Sequence, residues 1–316
     1  MVSIETPAPV SKFPVRLFSI TYAATDALLF EFRSHDGWTL PLAPPGAHID
    51  VHLPNGLVRP YSLVSTSPYV IAVKREAAGR GGSAWLHDHA RVGMDFEIGS
   101  PRNVFPLQEN AAETVLLAGG IGITPIYAMF QELERQGRKV VLHYWCRSPE
   151  HALFRAELED RIDVTLHYSD RGTRSSVAAI VAATGLQAEL YCCGPERMLA
   201  DFFLATSDRP PEHVHVERFN APALAPPAAG FMVSLARTGV ELAIEPGRTI
   251  LEILIEAGID VAYSCEQGMC GACETKVAAG SPLHRDSFRT PEEHDRLGTV
   301  MVCCAGSRSA RLVLAL

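Results

Sequence analysis

The chain has 316 residues, of which 47% are hydrophobic and 20% are charged, a length and composition typical of a globular protein with two or three domains. This composition excludes a disordered, collagenous or coiled-coil protein. The formal charge is −8, so neither a nucleic acid nor an anionic membrane is an expected partner. The first residues lack the pattern of a secretory signal, and the longest apolar stretch, residues 114–130, contains three glycines and a proline. We therefore expect a cytoplasmic protein without a membrane segment.

The first zone, up to about Leu107, predicts a β-barrel or sandwich. Apolar runs alternate with turns, and Asn55-Gly56 is a strong hairpin signal. Many short strands at this spacing are typical of a barrel or sandwich. The predicted strands are Val15–Thr21, Ala27–Arg33, His48–Leu53, Leu57–Val64 and Tyr69–Lys74.

The second zone, about residues 113–219, predicts a parallel sheet with helices on both faces. Near-continuous apolar strands alternate here with helices of about ten residues, the pattern of an α/β fold. The predicted strands are Thr114–Ala118, Lys139–Trp145, Asp163–Tyr168, Glu189–Cys193 and His213–Glu217. The predicted helices are Pro125–Gln136, Glu150–Asp160, Ser176–Ala183 and Glu196–Ala205.

The proline-rich stretch 221–229 predicts a semi-rigid linker. The zone after it predicts a hairpin, one helix, a cysteine-rich loop and a closing strand, at Phe231–Ala236 with Val240–Ile244, at Ile250–Glu256, and at Ala310–Leu316. The predicted domain boundaries are 1–110, 111–222 and 231–316, with 223–230 as the linker.

The cysteine-rich loop carries the most specific signal. Cys265, Cys270 and Cys273 have the spacing C-x4-C-x2-C, and a further cysteine pair, Cys303-Cys304, follows. This is the spacing of a plant-type [2Fe–2S] centre, in which four thiolates hold two irons. Structural zinc is the alternative, but zinc sites usually combine paired C-x2-C knuckles, and this loop has one. The spacing predicts an iron–sulfur cluster and leaves the fourth ligand open within the pair.

Two motifs of the first zone predict a flavin site. Arg59-Pro60-Tyr61-Ser62-Leu63 fits the R-x-Y-S motif of ferredoxin-reductase flavoproteins. Arg59 can neutralise a flavin phosphate, Tyr61 can lie against the isoalloxazine, and Ser62 can hydrogen-bond near N5. The segment 79–83, GRGGS, opens a predicted helix over Ser83–His89, and a helix N-terminus is a natural phosphate site. An ordinary strand and a flexible glycine turn are the alternatives.

Two segments of the second zone predict a nicotinamide-nucleotide site. The segment 118–125, AGGIGITP, lies between a predicted strand and helix, where a pyrophosphate meets the helix N-terminus. It is not the standard dinucleotide fingerprint, because Thr124-Pro125 replaces the third glycine. Cys193-Gly194-Pro195 ends a later strand, at the edge where open α/β sheets bind ligands. Cys192 is expected to be a buried packing residue.

Together, these motifs resemble the phthalate dioxygenase reductase family across essentially the whole chain. The matching stretches are RPYSL (59–63), VKREAAGRGGS (73–83), AGGIGITP (118–125), YCCGPERM (191–198), HVERF (215–219) and CEQGMCGACETK (265–276). The resemblance implies an antiparallel β-barrel flavin domain, an α/β parallel-sheet nicotinamide domain and an α+β plant-type ferredoxin domain. It also implies FMN as the flavin and Cys303 as the fourth cluster ligand, with Cys304 as packing.

The resemblance also assigns individual residues. It implies FMN contacts from Arg59, Tyr61, Ser62, Lys74, Gly81, Gly82 and Ser83. It implies nicotinamide-cofactor contacts from Gly120, Gly122, Thr124, Cys193, Gly194 and Pro195. It implies iron ligation by Cys265, Cys270, Cys273 and Cys303. Ser62, Phe219 and Cys193 are the residues expected at hydride transfer, and interdomain packing is the alternative for Phe219.

The choice between NADH and NADPH depends on residues near Ser169-Asp170-Arg171. Asp170 is the candidate partner of a ribose 2′-hydroxyl, whereas Arg147 and Arg171 offer partners for a 2′-phosphate. The resemblance favours NADH.

The resulting hypothesis is a reductase that passes electrons from NADH through FMN and a [2Fe–2S] cluster to a separate terminal oxygenase of the Rieske type. The exposed loop Glu266–Ala272 is the predicted docking surface. A cytochrome P450 is an alternative acceptor. A non-enzymatic electron carrier or redox sensor is a further alternative, against which the intact nucleotide motifs argue.

Overall fold

The computed structural model describes residues 12–35, 37–109, 111–172, 175–219 and 230–316. They belong to two compact units, one ending at Phe219 and one containing the residues from 230 onward. The predicted linker lies outside the described residues except for Gly230, as does the N-terminal segment. Among the described helices, none is long and apolar enough to cross a membrane.

The first unit begins with a closed antiparallel barrel, which confirms the predicted barrel. Its strands follow the order β1-β2-β5-β4-β3-β6, and apolar side chains fill the interior. Asn55-Gly56 forms the predicted turn between β3 and β4, with Gly56 at φ 85°. The elements are β1 (Lys12–Ala24), β2 (Ala27–Ser34), β3 (His48–His52), β4 (Val58–Thr66), β5 (Tyr69–Lys74), α1 (Gly82–His89) and β6 (Asp95–Gly99).

The strand that closes the barrel, β6, is absent from the predicted strands. It pairs antiparallel with β1 from Lys12↔Gly99 to Arg16↔Asp95, and also with β3. Its sequence, DFEIG, has only two buried apolar side chains in alternation, Phe96 and Ile98. Five residues of this kind give a weak periodicity, so the barrel partners on both sides decide its conformation.

The second half of this unit is the predicted parallel sheet, with the order β11-β10-β7-β8-β9. Every neighbouring pair is parallel. The order reverses between β7 and β10, which makes their carboxyl ends the topological switch point. The elements are β7 (Thr114–Gly119), α2 (Ile123–Arg135), β8 (Val140–Cys146), α3 (Arg155–Leu158), β9 (Val164–Tyr168), α4 (Val177–Ala183), β10 (Glu189–Cys193), α5 (Glu196–Ala205) and β11 (Val214–Glu217).

The predicted continuous helix Glu150–Asp160 is wrong, because the segment forms a 3-10 turn over Pro149–His151 and the single α-helical turn α3, separated by residues 152–154. Phe154 adopts a left-handed φ of 56° and stacks on Tyr127 with 3.9 Å between ring centroids. Ala152 and Leu153 are buried in the core cluster that α2 also lines. Packing of these side chains overrides the helix propensity of the segment.

The second unit is an α+β domain whose main sheet has the order β13-β12-β18-β14-β16. The predicted hairpin, helix and closing strand are present, whereas β14, β16 and α7 were not predicted. Both helices begin with a capping box, Thr249 with Glu252 and Thr290 with Glu293. The elements are β12 (Phe231–Leu235), β13 (Glu241–Ile244), α6 (Ile250–Glu256), β14 (Glu274–Ala279), β15 (Pro282–Leu283), α7 (Pro291–Leu297), β16 (Thr299–Met301), β17 (Gly306–Ser307) and β18 (Arg311–Leu314).

Candidate functional site

The cysteine loop joins α6 to β14 and carries three of the predicted ligands, whereas Cys303 follows β16. All four predicted ligands are buried. The thiols of Cys265 and Cys270 are hydrogen-bonded to each other, and so are those of Cys273 and Cys303. These bonds lower the pKa of Cys265 and of Cys303, because each is the sulfur that accepts the hydrogen bond in its pair. The four thiols therefore form two adjacent pairs, the arrangement that suits two irons held by two sulfurs each.

Backbone amides point at these sulfurs. The N–H of Gly268 donates to Cys303 Sγ at 3.2 Å, and those of Gln267 and Met269 donate to Cys265 Sγ at 3.4 Å. Gly268 and Gly271 have φ values of 70° and 73°, a conformation that glycine adopts without steric cost. Such donors stabilise anionic sulfur, so the loop fits a thiolate-bound cluster.

Cys304 lies beside the loop, and its thiol is hydrogen-bonded to Cys303. It is buried, and its Sγ would be 2.7 Å from a Cβ atom placed on Gly268. Its thiol contacts the carbonyl of Met301 at 3.8 Å. This contact against the Gly268 backbone accords with the packing role expected of Cys304.

The predicted flavin residues come together where α1 meets β4. Gly81 is the N-cap of α1 with φ 84°, and the first turn of α1 contains no acidic residue. A Cβ atom on Gly82 would lie 2.5 Å from Arg59 Cγ and 3.3 Å from the Tyr61 hydroxyl. The buried Arg59 donates to the carbonyl of Arg80 at 3.0 Å. The Arg59 side chain and the N-terminus of α1 thus lie together, an arrangement that fits a phosphate.

The remaining flavin candidates lie around this cradle. Ser62 is buried in β4, and burial raises the pKa of the neighbouring Tyr61, which keeps that phenol neutral. Ser83 Oγ accepts the backbone N–H of Glu76 at 3.1 Å. Lys74 Nζ pairs with Glu76 at 2.5 Å, so Glu76 already partly neutralises its charge. The structure therefore places Lys74, the last residue of β5, and Ser83, in the first turn of α1, on either side of Glu76 beside the cradle.

The nicotinamide candidates meet at the switch point between β7 and β10. A Cβ atom on Gly122 would lie 2.3 Å from the carbonyl oxygen of Cys193 and 2.8 Å from the amide nitrogen of Gly194. One on Gly119 would lie 2.6 Å from Pro195 Cδ. The glycine loop before α2 thus touches the backbone after β10 directly. The crevice at these strand ends is where such sheets bind nucleotides.

Two other candidates on this sheet occupy different positions. Thr124 is buried in the first turn of α2 and donates to the carbonyl of Ile121 at 3.0 Å, so it shapes the loop from within. Asp170 follows β9, two strands away from β7, and its N–H donates to the carbonyl of Arg147 at 3.1 Å. Asp170 and Arg147 therefore lie side by side. This geometry is compatible both with a ribose 2′-hydroxyl on Asp170 and with a 2′-phosphate on Arg147.

Cys193 and Glu217 form a buried, neutral pair at the ends of β10 and β11. They are direct partners in the strand register. Burial raises the pKa of the Cys193 thiol well above its usual range, and the neighbouring Glu217 carboxyl raises it further. Burial also raises the pKa of Glu217 to about 8, and its Oε2 has no hydrogen-bond partner among the described residues. Cys193 is therefore a protonated thiol, which suits positioning and not nucleophilic attack.

Phe219 lies just beyond this pair, half-buried against the core cluster that contains residues of both barrel and sheet. That contact is compatible with both interpretations of Phe219, the flavin shield and the packing residue. Glu217 is the residue whose role the sequence left open. Its signal was an acidic residue at the last position of an apolar strand.

Comparison with known proteins identifies the chain. Residues 116–202 match the oxidoreductase NAD-binding domain, and residues 233–307 match the 2Fe-2S iron-sulfur cluster binding domain. Phenoxybenzoate dioxygenase subunit beta from Ectopseudomonas oleovorans is 46% identical over 324 residues, covering 99% of both chains. The chain belongs to the phthalate dioxygenase reductase family.

Two further similarities agree with this membership. The solved structure of phthalate dioxygenase reductase, described as modular for electron transfer from pyridine nucleotides to [2Fe–2S], is 36% identical with a TM-score of 0.75. The match covers 97% of this chain and 98% of the chain in the solved structure. Tetrachlorobenzoquinone reductase from Sphingobium chlorophenolicum is 44% identical, covering 97% of this chain and 98% of the relative. The protein is accordingly an NADH-dependent iron–sulfur flavoprotein reductase, and its cysteine loop is a [2Fe–2S] site.

The cysteine loop predicts a specific effect of Gly271→Ala. An added Cβ would meet the Phe288 ring at 2.4–2.8 Å, so the loop must shift and the sulfurs with it. We expect iron content to fall at least several-fold, measured by iron analysis and visible circular dichroism. Gly258→Ala is the control, since Gly258 has a similar φ of 71° with nothing within 4 Å. Equal iron loss in both variants would show that φ strain, not the Phe288 contact, is responsible.

The switch point predicts that Gly122→Ala weakens NADH binding. Its Cβ would overlap the Cys193 carbonyl, which forces apart the two backbone segments that form the crevice. We expect KM for NADH to rise about tenfold, equivalent to ~1.4 kcal/mol, with flavin content unchanged. Gly185→Ala, where nothing lies within 4 Å, should match the wild type. An unchanged KM in Gly122→Ala would contradict the placement of the nucleotide here.

Glu217 predicts a pH-dependent difference in stability between the wild type and Glu217→Gln. The pKa of Glu217 in the folded state is about 8, above the ordinary 4.5. Between pH 4.5 and 8 the folded protein therefore keeps a proton on Glu217 that the unfolded chain has lost, and the free energy of unfolding falls as pH rises through this range. The loss amounts to about 3–5 kcal/mol by pH 9. Calorimetric melting at pH 5.5, 7 and 9 should show a smaller decline in Glu217→Gln, with the exposed Glu212→Gln as control. The same decline in all three proteins would refute the assignment.

Proposed function

We propose that this reductase accepts hydride from NADH and delivers electrons one at a time to a Rieske-type terminal oxygenase. The observation that carries the proposal is the presence in one chain of three sites: a phosphate cradle, a nucleotide crevice and a thiol loop with amide donors. When bound, FMN accepts the two electrons of a hydride and [2Fe–2S] passes on one electron at a time, which is why a chain serving a one-electron acceptor holds both.

The barrel residues are proposed to bind and orient the flavin. Arg59 and the N-terminus of α1 hold the phosphate at the Gly81-Gly82 turn, because this cradle has positive charge and no acidic residue in the first helical turn. The Tyr61 hydroxyl lies beside Gly82 of that cradle, and Ser62 is the next residue of β4. The flavin is proposed to be FMN, since a single terminal phosphate suits a cradle of this kind.

The sheet residues are proposed to bind NADH and exclude water. Gly120, Gly122, Gly194 and Pro195 line the crevice with backbone, so the pyrophosphate can approach the amides at the start of α2. Cys193 and Glu217, both uncharged at neutral pH by burial, supply a low-polarity wall where an ionised side chain would oppose charge movement. Asp170 is proposed to select NADH through the ribose hydroxyl.

The loop Glu266–Ala272 is the proposed docking surface. Its Glu266 is exposed, whereas the ligand sulfurs beneath it are buried. Residues 226–316 contain 11 acidic and 8 basic residues, a net charge of 8 − 11 = −3, so a moderately basic partner surface is expected. Thiolate ligands persist in a reducing compartment, which supports a cytoplasmic location.

The domain assignments follow the same division. Residues 1–110 are proposed as the FMN domain, 111–222 as the nicotinamide domain and 231–316 as the ferredoxin domain.

A quinone is a second candidate acceptor, because the 44% identical relative is named tetrachlorobenzoquinone reductase. A quinone would take electrons without an oxygenase partner.

The decisive experiment measures anaerobic reduction of three acceptors by NADH and the holoenzyme: purified Rieske-type oxygenase components, a cytochrome P450 and tetrachlorobenzoquinone. We expect reduction of a Rieske centre, followed by electron paramagnetic resonance, in the wild type and in Gly258→Ala. Gly271→Ala should lose it while still reducing ferricyanide. Reduction of the quinone or of the P450 alone would overturn the Rieske assignment. Release of FAD instead of FMN on acid treatment would overturn the flavin assignment.

A further inference from the structure

A second cluster of potential ligands lies in the C-terminal unit, formed by His284, Asp286 and His294. Each residue offers one ligand atom, and these atoms lie within 4.8 Å of one another. The two imidazole rings stack with 4.5 Å between centroids and 8° between planes. All three side chains are buried, with exposed fractions of 4% for His284 and 0% for the other two.

The hydrogen bonds around His294 fix which of its ring nitrogens faces Asp286 as a ligand atom. Thr299 donates its single hydroxyl proton to Glu274, whose carboxylate Arg289 holds at 2.7 Å. Thr299 Oγ1 must then accept from His294 Nδ1, at 2.8 Å, so Nδ1 carries a proton. His294 Nε2 therefore faces the Asp286 carboxylate, whose Oδ1 and Oδ2 lie 3.1 and 3.0 Å from it.

A lone pair on His294 Nε2 opposite a carboxylate requires a cation between them. A proton is one solution and gives an imidazolium–carboxylate pair. A metal ion is the other, and the second-shell bond to Thr299 is the kind that orients metal-bound histidine. In a tetrahedral zinc site two ligands each about 2.1 Å from the ion are about 3.4 Å apart, so a zinc ion fits here once the Nε2–oxygen distances lengthen by about 0.4 Å.

His284 distinguishes the two solutions. Neither of its ring nitrogens has a hydrogen-bond partner among the described residues, although both are buried. The nearest charged oxygen, Asp295 Oδ1, is 3.6 Å from Nε2, beyond hydrogen-bond distance. A proton shared by His294 and Asp286 leaves His284 with only this long ion pair to the exposed Asp295. One metal ion satisfies all three residues once the His284 ring rotates out of the stack, because the lone pair of each ring nitrogen lies in the ring plane.

We propose that His284, Asp286 and His294 bind one divalent transition-metal ion, with zinc the best match to the donors. Two imidazoles and one carboxylate form a zinc ligand set that leaves a fourth position for water or Asp295. The ion replaces the proton on His294 Nε2, which is released to solvent, and no electron is transferred. The site uses none of the four cluster cysteines. A test of metal binding here is therefore independent of which electron acceptor the reductase serves.

The site also lies against the cluster loop. A Cβ atom on Gly268 would be 2.9 Å from Asp286 Cβ, and the N–H of Ser287 donates to the Gly268 carbonyl at 3.0 Å. A paramagnetic ion bound to Asp286 would therefore be close enough to the cluster to change its magnetic relaxation. This proximity gives a readout that does not depend on reductase activity.

The test uses tag-free holoprotein with its iron content measured. After equilibrium dialysis against Zn²⁺ and removal of excess metal, we expect one zinc per chain in addition to an unchanged two irons, by inductively coupled plasma mass spectrometry. His284→Ala should weaken zinc binding at least tenfold while keeping the cluster spectrum. His89→Ala, which removes an exposed histidine of α1, is the matched control and should bind zinc as the wild type does.

A second readout uses Ni²⁺ with the dithionite-reduced protein. Bound Ni²⁺ should speed relaxation of the cluster resonance in the wild type and in His89→Ala, but not in His284→Ala or in the size-conserving His284→Gln. The proposal is overturned if a folded His284 variant binds zinc as tightly as the wild type. It is also overturned if zinc enters only as iron is lost, because the cysteines are then the ligands. Absence of zinc uptake by the wild type would leave the protonated His294–Asp286 pair as the correct description.

Discussion

Close packing against glycine, at positions where a side chain would not fit, is the constraint on which the cofactor sites of this reductase depend. At Gly82, Gly122 and Gly271, an added Cβ would overlap Arg59, the Cys193 carbonyl and the Phe288 ring. At each position the missing Cβ lets a neighbouring group lie directly against the backbone, which keeps the nearby amide groups open to a ligand. The barrel, the parallel sheet and the C-terminal unit differ in architecture, yet each presents backbone donors to an anionic group in this way.

Control of charge by burial is the second common feature. Around the cysteine loop, N–H groups of Gln267, Gly268 and Met269 favour anionic sulfur. At the nicotinamide crevice, Glu217 Oε2 has no hydrogen-bond partner within the part of the chain that the structure describes, and burial raises the pKa of both Cys193 and Glu217. Cysteine thus serves as a thiolate ligand in one place and as a neutral wall in another, and the local donors decide which.

The accuracy of the predicted elements follows the strength of their local signals. The parallel strands were predicted within a few residues, since buried runs such as Thr114–Gly119 can form little else. The segment 150–160 failed because Phe154 turns left-handed to stack on Tyr127, a partner more than twenty residues earlier. Strand β6 and helix α7 were missed because each is short, and neighbours distant in sequence stabilise them.

The sequence by itself determined the order of the three functional zones, the cysteine spacing and the glycine motifs, because these depend on residues adjacent in the chain. It also left Cys303 and Cys304 indistinguishable by spacing, whereas in the fold Cys303 contacts Cys273 and accepts the N–H of Gly268, and Cys304 packs against Gly268. Only the tertiary structure placed Glu217 beside Cys193 and assembled His284, Asp286 and His294. Those groups meet through strand register and loop packing, and burial and proton sharing between distant residues leave no trace in local sequence.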